Sequence, residues 1–173
     1  VDWTSAIFEV IDMRSFSNLW YWIALAVVWS SASHFVLGVP FDLIQRAQRQ
    51  GGQAMQDFVD MVRINVNRIL FIVDIAGPYL LGFWAFVLTT LFVLAFWYSV
   101  EFAQAVVLIA LPMTLVFLLT VRLARRIADL EPDGSVLTRL ITRQRFWTQV
   151  IGMIAIFVTA MFGMYHNLEV VPF

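Results

Sequence analysis

A chain of 173 residues that is 61% hydrophobic and only 13% charged, with a mean hydropathy of +0.83, has too few charges to cover a water-soluble surface, so it reads as a protein solvated mostly by lipid. It contains no cysteine, which excludes disulfides, thiolate metal sites and cysteine nucleophiles. The net charge of −1 hides a bias, because all eleven basic residues are arginine.

In chain order, the N-terminal tail places Trp3, Ile7, Val10 and Ile11 at helical spacing with Glu9 and Asp12 on other faces, the pattern of a short interfacial helix. Residues 19–39 are the first run long enough to span, with Ser17 and Asn18 as caps and Pro40 as its stop. This run lacks the basic leader and small-residue cleavage site of a signal peptide, so it is expected to remain as a span. The loop 40–78 divides at Gly51-Gly52, and its second piece carries the stripe Met55, Phe58, Val62, Val66 and Ile69. Nothing in FIVDIA (71–76) stops that piece from running into the second span, 79–98, which Gly77-Pro78 opens.

Only Ser99, Val100 and Glu101 precede the third span, 103–121, apart from Phe102, so spans two and three form a tight antiparallel hairpin. Pro112 bends the third by removing one backbone bond. In the loop 122–145, EPDG (131–134) is a turn, Ser135 an N-cap, and Val136, Leu140 and Ile141 mark a short amphipathic helix before the fourth span, 146–165. No span contains Asp, Glu or Arg. The expected fold is therefore all-α: a polytopic membrane protein of four transmembrane helices with amphipathic interfacial helices, in one domain over 1–173.

Ten arginines lie in the two long loops (Arg46, Arg49, Arg63, Arg68, Arg122, Arg125, Arg126, Arg139, Arg143 and Arg145), and Arg14 stands alone on the other side. The positive-inside rule makes both loops cytoplasmic and both termini periplasmic in a bacterial inner membrane. Trp20, Tyr21, Trp22, Trp97, Tyr98 and Tyr165 then mark the outer interface and Trp147 the inner one. The arginines flank spans and alternate with apolar residues, so their partners are expected to be anionic lipid headgroups rather than nucleic acid.

His34 and Asp74 are the ionisable candidates. His34 falls in the cytoplasmic third of span one, with Ser30 one turn earlier on the same face. That small residue four before a histidine resembles the spacing in bacterial light-harvesting helices. Haem or bacteriochlorophyll at His34 is the one cofactor this leaves open, beside a proton-relay role or a structural hydrogen bond to a neighbouring helix. Two-histidine ligation within the chain is excluded, because His166 lies at the opposite face. Asp74, at similar depth, forms either an intramembrane polar pair with His34 or an interfacial pair with His34 or Arg68. For helix packing, Gly152, Ala155, Thr159 and Gly163 give span four one small-residue face. Gly82, Ala85 and Thr89 do so on span two, and Ala103, Ala110 and Thr114 partly on span three. No Ser/His/Asp set, HExxH, phosphate loop or metal-ligand cluster is present, so no catalytic residue, metal or enzyme activity is expected.

The stretches IDMRSFSNLWYWIALAVVWSSASHFVLGVPFDL, RINVNRIL and VEFAQAVVLIALPMTL resemble a bacterial family of small four-span integral membrane proteins, some labelled "component of SufBCD complex". The resemblance covers most of the chain. It implies an inner-membrane protein and carries over no catalytic residue. A non-catalytic accessory or assembly subunit of a larger inner-membrane complex, respiratory or photosynthetic, is the leading expectation, with other integral membrane subunits as partners. A small-subunit transporter component or an oligomeric channel is the alternative.

Overall fold

The fold comes from a computed structural model in which residues 19–169 are described, with side chains through His166. The expected N-terminal interfacial helix and the caps Ser17 and Asn18 lie outside the described residues. The element order is α1 (Leu19–His34), β1 (Phe35–Val36), β2 (Val39–Pro40), α2 (Phe41–Gln50), α3 (Gly52–Phe96), α4 (Glu101–Leu130) and α5 (Gly134–Glu169). Three of these, α3, α4 and α5, are long and apolar enough to cross a membrane.

The first expected span ends early at its C-terminal side: the described part of α1 covers 16 residues, Leu19–His34. It ends at His34, five residues before Val39, because the chain reverses there. Leu37 (φ 55°) and Gly38 (φ 71°) both adopt left-handed conformations, which a tight two-residue hairpin turn requires. Phe35 then pairs with Pro40 and Val36 with Val39. Burial pulls the turn inward: Val36, Leu37 and Val39 are all buried. Pro40 therefore does not stop α1; it is the N-cap of α2.

The later helices run longer than the expected spans. The break at Gly51-Gly52, both at positive φ, is followed by 45 uninterrupted residues of α3, roughly 68 Å. Gly77-Pro78 opens no new helix. Pro78 only forgoes the bond to the carbonyl of Asp74, a local loss that the surrounding helix tolerates. The turn at 131–133 stands, with Glu131 at φ 39°, and the expected short helix after it is the beginning of α5.

Two packing regimes follow. At one end, Val36, Leu37, Val39, Ile44, Ala47, Phe58, Val62, Val66, Leu123, Ala124, Ile127, Leu137 and Ile141 form one continuous core. It joins the β-hairpin, α2, the start of α3, the end of α4 and the start of α5 into a headpiece, and ten of the eleven arginines lie on these segments. The apolar halves pack more sparsely. α3 and α4 run antiparallel, with Ala95 against Ala103 near the connection, Trp84 bonded to Thr114 midway and Asp74 facing Arg125 beyond. α1 packs on α4 and α5 through Leu25, Trp29, Val116 and Ala155. Buried fractions of the most apolar windows are 6% for α3, 22% for α4 and 28% for α5, which makes α3 the peripheral helix.

Candidate functional site

His34 is the last residue of α1 and is exposed. Its imidazole meets the Phe35 ring edge-on at 4.8 Å between centroids. Ser30 uses its carbonyl to accept a bond from Ser33 Oγ at 3.0 Å. Asp74 does not meet His34. Its carboxylate lies 3.9 Å from Arg125 Nη2, with both side chains more than half exposed. Nor does it pair with Arg68, which stands six residues away on α3, a spacing that points to another face of the helix. The α3–α4 register supplies Arg125 instead, a partner 51 positions along the chain. An exposed pair at that distance adds at most about 1 kcal/mol.

Gly152, Ala155, Thr159 and Gly163 are all buried on α5, while Met153, Ile154, Phe157 and Met161 between them are exposed. At Gly152 an added Cβ would stand 2.8 Å from Cε3 of Trp29. The glycine therefore accommodates an indole as well as a neighbouring helix. On α3 the corresponding stripe is open: Gly82, Ala85 and Thr89 are exposed, and a Cβ on Gly82 would meet nothing within 4 Å.

Several polar residues tie the helices together. Arg145 on α5 donates from Nε to the Ser33 carbonyl at 3.1 Å, satisfying an acceptor that the end of α1 leaves open. Its guanidinium carbon also lies 3.5 Å from the Phe41 ring centroid. Gln104, buried in the first turn of α4, donates from Nε2 to the Ala95 carbonyl at 2.9 Å and so closes the α3–α4 connection. Tyr21 donates its hydroxyl to the Ala105 carbonyl at 3.2 Å. At the end opposite the headpiece, His166 Nε2 lies 3.3 Å from Glu101 Oε2, and the glutamate side chain is only 13% exposed. Glu101, in the connection before the third expected span, is thus paired and largely buried.

Two concavities among the described residues bear on function. One, about 170 Å³, is apolar and lies between α1, β1, α4 and α5, bounded by Ala32, Phe35, Val116 and Thr148 among others. The other is an open groove of about 540 Å³ between Gln48 of α2 and Ser135, Arg139, Thr142, Arg143 and Phe146 of α5. Among the described residues, no carboxylate lines this groove.

Comparison with protein-family models, curated proteins and solved structures finds no match. The fold and these sites therefore carry the functional reading.

Among the described residues, no three His, Asp or Glu side chains gather in metal-binding range. The sequence placed Arg145 only among the loop arginines, and gave no role to Gln104, Trp29 or the Glu101–His166 pair. Gln104 had a usable signal, an amide in the first turn of a span directly after a very short connection. Arg145 had none, since its partners Ser33 and Phe41 lie more than a hundred residues earlier.

Proposed function

We propose that this protein is a non-catalytic accessory or assembly subunit of a larger bacterial inner-membrane complex, respiratory or photosynthetic, with a cytoplasmic headpiece and periplasmic termini. The observation that carries this reading is the uncovered small-residue stripe on α3. A stripe of Gly82, Ala85 and Thr89 gives acyl chains little to contact but lets another helix approach closely. On α5 the comparable stripe is filled by the protein's own helices, whereas on α3 it faces outward. The arginine distribution supports the orientation, and the resemblance to small four-span inner-membrane proteins agrees with the location.

Transport has less support, because Asp74 faces Arg125 and no ion pair joins it to His34 among the described residues. The test is purification of the tagged full chain from native membranes in mild detergent. Other integral membrane subunits are expected at stoichiometric yield from the wild type, and lost from Gly82→Leu/Ala85→Leu while the chain itself melts no lower than wild type. A wild-type chain that purifies alone, or partners indifferent to the double substitution, would overturn the assignment.

A further inference from the structure

We propose that the groove between α2 and the first three turns of α5 holds the phosphate of an acidic phospholipid on Arg139 and Arg143. These two residues stand one helical turn apart, and both are exposed. Like charges at that spacing repel unless an anion lies between them. Neither makes an ion pair with a carboxylate among the described residues, in contrast to Arg63 with Asp60 and Arg125 with Asp74. The other lining groups suit the same ligand. Ser135 and Thr142 offer hydroxyls, and Gln48 of α2 offers an amide donor from the opposite wall. Thr138 directs its own hydroxyl to the Ser135 carbonyl at 2.9 Å, so the guanidiniums remain the principal donors. Paired guanidiniums suit phosphate through planar, charge-assisted bonds.

The groove's position selects a lipid over a soluble phosphate. Its far wall is Phe146, 58% exposed, followed by Trp147 at 51%, an aromatic pair of the kind found at a membrane interface. From there α5 continues through residues 146–165 with no charged side chain. An amphiphile whose phosphate meets Arg143 and Arg139 can lay its acyl chains beside Phe146 and the apolar helix. A soluble anion would leave that aromatic wall unused.

The experiment is native mass spectrometry of the full chain in mild detergent, titrated with phosphatidylglycerol or phosphatidylcholine. Wild type is expected to retain phosphatidylglycerol preferentially. In Arg139→Gln/Arg143→Gln that preference should fall roughly tenfold or more, from two lost basic contacts near the membrane surface. Arg139→Lys/Arg143→Lys should recover part of it. The control Arg68→Gln/Arg122→Gln removes equal charge outside the groove and should leave the preference within about twofold of wild type. Equal retention of the two lipids by wild type, or an equal loss in the control, overturns the site. Inorganic phosphate that displaces phosphatidylglycerol and gives the same thermal protection in neutral detergent overturns the lipid assignment in favour of a soluble anion.

Discussion

Arg145 Nε donates to the Ser33 carbonyl at 3.1 Å while the same guanidinium stacks 3.5 Å from the centroid of Phe41. One side chain from α5 thus holds the end of α1 and the beginning of α2, on either side of the β-hairpin. A charged hydrogen bond to an open helix carbonyl contributes about 1.5–3 kcal/mol, and a partly exposed cation–π contact about 0.5–1 kcal/mol. Arg145→Ala is therefore expected to cost about 2 kcal/mol. Lysine retains the charge but not the planar fork, so Arg145→Lys should fall between wild type and alanine. Reversible unfolding in mixed micelles measures both. Equal stability of alanine variant and wild type would show that this junction contributes nothing.

The glycines of α5 and α3 separate internal packing from open surface. Gly152→Ala places a methyl group 2.8 Å from a rigid indole carbon of Trp29, so a backbone or the ring must move, at about 1–3 kcal/mol. Gly82→Ala meets nothing within 4 Å and gains helix propensity of up to about 1 kcal/mol. Thermal melting of the two variants in the same detergent should therefore move in opposite directions. Adding Trp29→Leu should recover part of the Gly152→Ala loss, because it removes the ring that the methyl meets. A Gly152→Ala protein as stable as wild type would mean that the Trp29–Gly152 contact is loose.

Much of the helical pattern was legible because helical periodicity is local. The stripe Phe58, Val62, Val66 was readable from spacing alone, and all three residues are buried in the headpiece core. The small residues of span four were readable in the same way. Helix ends were less legible. Gly77-Pro78 looked like a start because proline is favoured in a first turn, yet one missing bond does not stop a helix that packs on both sides of it. The end of α1 was hidden for the opposite reason. Residues 35–39 are as apolar as a span, and only tertiary burial of Leu37 reveals that they turn back into the headpiece. The partner of Asp74 depended on the α3–α4 register, which no local pattern encodes.

For His34, substitution by glutamine should leave the chain inserted and folded, with its visible absorbance unchanged. The imidazole is exposed and touches Phe35, and glutamine retains hydrogen-bonding capacity while being a poor ligand for haem or a chlorin. Spectra of wild type and His34→Gln purified from pigment-replete cells make the comparison. An absorbance band present in the first and missing from the second would assign a cofactor to His34.

Orientation has its own measurement. Ten arginines sit on the headpiece segments, and the exposed aromatics Trp20, Trp97, Tyr98 and Tyr165 lie toward the other end. A phosphatase reporter fused after residue 173 should be active in the periplasm, and a fluorescent reporter inserted at Gly134 should fold in the cytoplasm. The reverse pattern would invert the map and place the basic groove outside.

The hairpin after α1 sets conformational preference against burial at one residue. Leu37 has φ 55°, a conformation that costs a residue with a branched side chain about 1–2 kcal/mol. It is also 3% exposed within the headpiece core, and burying a leucine contributes about 1.5–3 kcal/mol. Asparagine suits the left-handed turn, so Leu37→Asn should relieve most of the strain. It would also lose the apolar burial and place an amide among Val36, Val39 and their neighbours, at about 1–3 kcal/mol if that amide finds no partner. The second effect is larger, and the expected result is a net loss of about 2 kcal/mol. Leu37→Gly removes the strain without burying a polar group, so its loss should be smaller than that of asparagine. The order wild type, glycine, asparagine in detergent unfolding midpoints is the outcome that fits. Should asparagine match or exceed leucine, the turn is held by its backbone preference, and the buried side chain is not what draws the chain back from α1.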